Sequence, residues 1–161
     1  MQEVPITAIG AIQAILAPAL GISAVGLLLL GLLNRYSNMI TRIRLLNDEK
    51  RKLIKMFAGT KEPEYADNVR FASIKKQTDE LLLRSKLVRN AILSMESAIG
   101  MFVLASIAIG LNLFVTSELN RVVALALFMG GMIGVFVGVV FTGAEIHRSF
   151  KIVLIEVLSE E

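Results

Sequence analysis

Glu96, Glu145 and His147 are the side chains of this sequence best suited to acid–base chemistry, because each stands beside a long uncharged run. An acid near the edge of a membrane-spanning run is a functional candidate by default, since an ionised carboxylate is costly to take out of water. Glu96 falls about one turn into the second run, opposite its small-residue face, and Glu145 ends the third. Both are acidic candidates for the mouth of a conducting path, where they would favour cations, and Arg89 and Arg148 are candidates to pair with them. Glu145 and His147 are two residues apart and do not share a helix face. His147 is the one histidine and cysteine is absent, so no metal site and no cofactor are expected. No nucleophile–base arrangement, phosphate-cradling loop or pair of acids at catalytic spacing occurs. No catalytic residue is therefore expected, and an enzyme is the least favoured class.

The elements that must position these groups follow from the distribution of charge. The chain has 161 residues, 55% of them hydrophobic and 19% charged, which is more apolar than a soluble domain of this size. From Val4 to Asn34 there are 31 residues without a charge, between Glu96 and Glu118 another 21, and between Arg121 and Glu145 another 23. About 20 apolar residues suffice to cross the hydrocarbon core as a helix. We expect an all-α integral membrane protein, a single membrane domain over residues 1–161 with spans at about 6–34, 94–117 and 121–144. No Lys or Arg precedes Arg35 and the first run is long, which argues against a cleaved signal peptide.

Of 17 Lys and Arg residues, 14 lie between Arg35 and Arg89. The positive-inside bias places that region and the C-terminal tail in the cytoplasm, with the N-terminus and the turn near Thr116 outside. Within the basic region, Met39, Ile43, Leu46, Leu53 and Phe57 recur at steps of three and four, with Lys50 interrupting. A second series runs Phe71, Ile74, Leu81, Val88, Ile92 and Met95, with Thr78 and Ser85 on its seam. Gly59 and Pro63 between them signal a stop and a turn. The pattern predicts an antiparallel, coiled-coil-like helical hairpin over about 35–93, continuing the first two spans, and a further C-terminal helix over about 145–159. Ile146, Phe150, Val153 and Val157 form a stripe by which that helix would pack on the hairpin. The hairpin charges solvate its outer face. Arg35, Tyr36, Arg42 and Arg89 fall near headgroup depth, where the arginines could bind anionic lipid. Net charge in the segment is +7 without interleaved aromatics, so nucleic acid is not favoured as a partner.

Each run carries a face of small or weakly polar residues, the kind that lets helices approach closely in lipid. The first has Gln13, Ala17, Ala24, Gly31, Asn34 and Asn38. The second has Ser94, Ser97, Ala98, Met101, Ala105, Ala108 and Asn112. The third has Ala124, Gly131, Gly134, Gly138, Thr142 and Glu145, and Gly130, Gly134 and Gly138 form two overlapping GxxxG steps. Gly130, Gly131, Gly134, Gly138, Gly31 and Ala24 are candidates for helix packing or for an interface between copies. Gln13, Asn34, Ser94, Ser97, Asn112 and Thr142 are candidates for a polar or pore lining. Pro18 lies within the first span and withholds a backbone donor.

Ile12-Gln13, Ala17-Pro18, Ile22-Ser23-Ala24, Asn34-Arg35-Tyr36-Ser37, Arg42-Ile43-Arg44 and Leu46-Asn47, with Arg84 to Asn90 leading into the second span, make this chain similar to small bacterial membrane proteins of the domain-of-unknown-function 2721 family. The resemblance covers most of the chain and implies a three-span protein of the prokaryotic inner membrane. It implies no activity. In layout alone the chain also resembles YidC-type insertases, which place a cytoplasmic helical hairpin between their first two spans. Their buried intramembrane basic residue has no counterpart, since no Lys or Arg lies inside any run here. The expected function is a non-enzymatic homo-oligomer, with ion or solute conduction as its extension. The alternative is a scaffold or insertase-like protein that binds a partner through its basic hairpin.

Orientation is open to direct test. A cysteine replacing Thr60, at the hairpin tip, should resist an impermeant thiol reagent in intact cells, whereas one replacing Ser117 should react. The reverse labelling pattern overturns the orientation.

Overall fold

Inside lipid, every backbone N–H and C=O must find a partner within the protein, and a helix supplies these partners from its own segment. The computed structural model describes the backbone of residues 8–59, 65–112, 114 and 117–158, and the side chains of residues 10, 12–56, 69–112, 114 and 117–148. It is built on three helices, α1 (Ala8–Gly59), α2 (Tyr65–Leu111) and α3 (Glu118–Leu158). All three are long and apolar enough to cross a membrane, with mean hydropathies of 2.3, 2.0 and 2.5 in their most apolar windows. α1 passes Pro18 without interruption, and the proline ring is buried. α3 runs through position 145 to Leu158 as one helix, because nothing after Gly143 would stop it. Thr60, Pro63 and Thr116 lie outside the described residues, as do the side chains of Phe57, Phe150, Val153 and Val157.

The chain divides into two compact units, Met1–Leu32 with Asn90–Phe141, and Leu33–Arg89 with Thr142–Glu161. In the first, Phe102 of α2 is 1% exposed and is received by two glycines. A Cβ on Gly21 of α1 would lie 3.1 Å from its ring, and one on Gly131 of α3 would lie 2.6 Å from it. Phe128 stands against the same ring, at 5.6 Å between centroids. Along α3, Gly130, Gly131, Gly134 and Gly138 meet Met101, Phe102, Ala98 and Met95 of α2 in turn, so the two helices run antiparallel. The approach at Gly134 is close enough for the Ser94 hydroxyl to donate a 2.8 Å hydrogen bond to the Gly134 carbonyl. These four glycines thus pack within one chain. Gly31 differs: a Cβ there would meet nothing within 4 Å, and Ala24 is exposed.

In the second unit the positions picked out by steps of three and four are the sheltered ones. Met39, Ile43 and Leu53 of α1 and Ile74, Leu81, Ser85 and Val88 of α2 are buried. The Arg70 guanidinium pairs with Glu49 at 2.8 Å, and the Lys50 ammonium lies 5.6 Å from the Phe71 ring centroid. Arg35 and Arg84 meet at Glu145 while Glu49 pairs with Arg70, so α1 and α2 run antiparallel in this unit. Lys50 is accommodated on an apolar seam because its cation stands near an aromatic ring. Thr78 and Ser85 satisfy their hydroxyls on the preceding turn, at the Ile74 and Leu82 carbonyls. On α3 the stripe beginning at Ile146 does not start a packed face, because Ile146 is 49% exposed. Among the described side chains of α3, the buried ones are Ala124, Gly131, Gly138 and Glu145, each seven residues after the last.

Filling the Phe102 socket should be costly. Gly131→Ala should destabilise the fold by about 1–3 kcal/mol through overpacking. Gly100→Ala adds its methyl where nothing lies within 4 Å, and should be neutral or mildly stabilising. Unfolding of the purified proteins in mixed detergent micelles, followed by circular dichroism, checks the contrast. Equal midpoints for the two variants would refute the socket.

Candidate functional site

Only one buried carboxylate occurs among the described residues, and it joins all three helices. Glu145 on α3 is 0% exposed. Arg84 of α2 donates to its Oε1 from Nε at 3.1 Å and from Nη2 at 2.9 Å. Arg35 of α1 places its Nη2 3.2 Å from Oε2. The Arg84 side chain is 26% exposed and that of Arg35 43%, so both cations keep a path to water while the anion has none. Two cations thus meet one anion. Arg89 and Arg148, the partners expected from sequence, are exposed and make no ion pair among the described residues. The correction has a geometric cause. Arg148 is three residues on from Glu145 along the same helix, but a buried side chain is paired by the helices it faces. Arg84 stands seven residues before Ala91 on the α2 face that carries Ala91, Ala98, Ala105 and Asn112, all buried.

This arrangement suits a clamp better than a reaction centre. A carboxylate held by two guanidiniums and shielded from solvent cannot act as a mouth acid, a base or a nucleophile without first losing its partners. Glu96, the other acidic candidate, is exposed on α2 and is not part of the cluster. The polar-lining candidates do not converge either. Gln13, Asn34 and Ser97 are exposed, Ser94 and Thr142 are half-buried, and Asn112 is buried. Ser97 donates to the Leu93 carbonyl of its own helix, and Ser94 is engaged with Gly134. Among the described residues, no three His, Asp or Glu side chains are placed to hold a metal ion. Tyr36 is half-buried, while Arg42 and Arg89 are exposed.

Removing the better buried cation should matter more than removing the exposed one. Arg84→Ala removes both hydrogen bonds to Glu145 Oε1 and should cost about 3–5 kcal/mol, the range for breaking a buried pair. Arg35→Ala should cost under about 1 kcal/mol, because Arg35 is largely in solvent. Unfolding midpoints in detergent report the order, and a larger loss for Arg35→Ala would show that Arg84 is not the principal partner.

A family model described as "Protein of unknown function (DUF2721)" matches residues 15–155. No curated protein and no solved structure matches the chain. The match takes in the Phe102 socket and all three members of the charge cluster, Arg35, Arg84 and Glu145. By this match over most of its length, the chain belongs to the DUF2721 family.

Proposed function

We propose that the chain is a non-enzymatic, multi-pass protein of the prokaryotic inner membrane that assembles with copies of itself through α1. One observation carries the reading. Ala17, Ala24 and Gly31 recur every seven residues, Gln13 stands one turn before them, and all four are exposed. Small residues in lipid gain little by facing acyl chains but allow close packing against another helix. A glutamine amide facing lipid is costly until another chain satisfies it. The equivalent series on α3, Ala124, Gly131 and Gly138, is already buried within the chain. The α1 series is therefore the surface left for a second copy.

In this reading the basic segment from Arg35 to Arg89 faces the cytoplasm together with the C-terminus, and its two arms pack as an antiparallel coiled coil. Arg42 and Arg89 bind anionic headgroups, while Tyr36 anchors at the interface. Ion or solute passage falls to α1 as well. The α2 face is taken up by its own neighbours, since Ala98, Ala105, Ala108 and Asn112 are buried.

A cysteine at Gly31 should crosslink to its counterpart on oxidation in membranes. One at Leu30, about 100° round the same helix, should not. Monomer from both, with a monomeric mass in mild detergent, removes the assembly. Liposome flux of the purified protein then separates a conducting oligomer from a scaffold.

A further inference from the structure

Glu145 engages two guanidiniums without exhausting either. Arg84 gives Nε and Nη2 to the carboxylate, and Arg35 gives Nη2. Arg84 Nη1 and Arg35 Nε and Nη1 make no hydrogen bond or ion pair among the described residues. Both side chains reach solvent, at 26% and 43% exposed. Glu80, one turn before Arg84 on α2, forms no ion pair with it. Each arginine keeps its charge and has donors to spare.

The surroundings favour an anion. Within three residues of Arg35, Arg84 and Glu145 along the three helices, the only further Asp, Glu, Lys or Arg side chains are Lys86 and Arg148, both exposed. Glu145 itself is 0% exposed, so an arriving anion meets the guanidiniums and not the carboxylate. The cluster also marks an edge. Arg35 is the first charged residue after 31 uncharged ones, and Glu145 the first after 23. In a helix that crosses a bilayer, the first charge past such a run stands at the headgroups, where lipid phosphates lie.

We propose, on the reading of this chain as a membrane protein, that the outward side of the cluster seats the phosphodiester of one anionic phospholipid. Arginine presents paired N–H groups that match phosphate oxygens. Glu145 already holds both side chains, so the lipid need not order two long arginines by itself. Lys86 and Arg148 repel the ammonium of a zwitterionic headgroup, which sets the preference for an anionic one. Arg42 and Arg89 attract headgroups by charge alone, whereas Arg35 and Arg84 are positioned before a lipid arrives.

The test is native mass spectrometry of the full chain in detergent, titrated with phosphatidylglycerol or phosphatidylcholine. We expect one tightly held phosphatidylglycerol per chain, bound about tenfold better than phosphatidylcholine. Arg35→Gln, which leaves Arg84 on Glu145, should weaken it about tenfold with helix content unchanged, the equivalent of one lost charge-assisted hydrogen bond. Arg51→Gln removes the same charge about 24 Å further along α1 and should change nothing. An Arg42→Gln/Arg89→Gln double variant should keep the tight lipid. Glycerophosphoglycerol, the headgroup without acyl chains, should not displace it. Equal binding of the two lipids overturns the proposal, and so does an equal loss in Arg35→Gln and Arg51→Gln, which marks diffuse attraction. Displacement by glycerophosphoglycerol overturns the lipid, and displacement by oleate as readily as by phosphatidylglycerol overturns the phosphate. Loss in the double variant with none in Arg35→Gln moves the lipid to Arg42 and Arg89 and overturns this site alone. A chain that does not reconstitute into phosphatidylcholine vesicles removes the membrane reading, and the site with it.

Discussion

The packing of the first unit turns on a single side chain, Phe102, and on the two glycines that make room for it. Water drives apolar surfaces together in a soluble core, but acyl chains are as apolar as leucine, so that drive is missing between helices in lipid. Contact must come from shape. A phenyl ring seated between Gly21 and Gly131 makes dispersion contacts with two helices at once, and it can do so only where both lack a Cβ. That requirement fixes the axial position of α1 and α3 against α2. The remaining glycines of α3 then fall opposite Met101, Ala98 and Met95, and the Ser94 hydroxyl reaches the Gly134 carbonyl because no side chain intervenes.

In the second unit Glu145 meets Arg84, and each stands at the end of a seven-residue series along its own helix. On α3 the series Ala124, Gly131, Gly138 ends in Glu145, and on α2 the series Asn112, Ala105, Ala98, Ala91 ends in Arg84. Small residues give way to a charged pair at the same point in both series. Such a buried pair contributes little net stability against its desolvation cost. Its value lies in what it forbids. A shift of α3 by one residue would carry Glu145 away from both arginines and leave a buried charge without compensation. Packing sets the register within the apolar unit, and charge penalises any other register within the second.

Much of this was legible in the sequence. The uncharged runs announced three long helices, and steps of three and four picked out Met39, Ile43, Leu53, Ile74, Leu81 and Val88, which are buried, together with Leu46 and Phe71, which are half-buried. The glycines of the third run were readable as a packing face. Their partner was not, because Phe102 is one of eight phenylalanines and an apolar span presents many large residues without saying which is enclosed. The partners of Glu145 were misjudged for a related reason. Arg89 and Arg148 lie closer to the span edges in sequence, yet depth alone does not bring two side chains together. Extending the small-residue series by one more step of seven on both helices would have reached Arg84 and Glu145. Asn112 was visible as a polar residue in an apolar run, but that its side-chain oxygen is buried without a hydrogen-bond partner among the described residues depends on how the helices around it pack.

α1 and α3 each carry small residues at intervals of seven, and only the α3 series is buried. On α3 the series lies against α2, with the large residues Met129, Met132, Ile133 and Phe136 turned outward. On α1 the relation is reversed. Its buried positions include Pro18, Val25, Leu29 and Leu32, while Ala24 and Gly31 are exposed and Ala17 is exposed beside a pocket near the α2–α3 turn. A helix that needed only to meet lipid would gain by carrying leucine at such positions, as α1 does at Leu20, Leu27 and Leu30, all exposed. Glycine at position 31 costs about 1 kcal/mol of helix propensity against alanine, and among the described residues nothing lies within 4 Å of where its Cβ would stand. In the proposed assembly a second copy makes use of that space. An α1 face with the spacing of the α3 seam is a natural place for that contact, because the geometry that seats one helix closely in this fold would seat another in the same way.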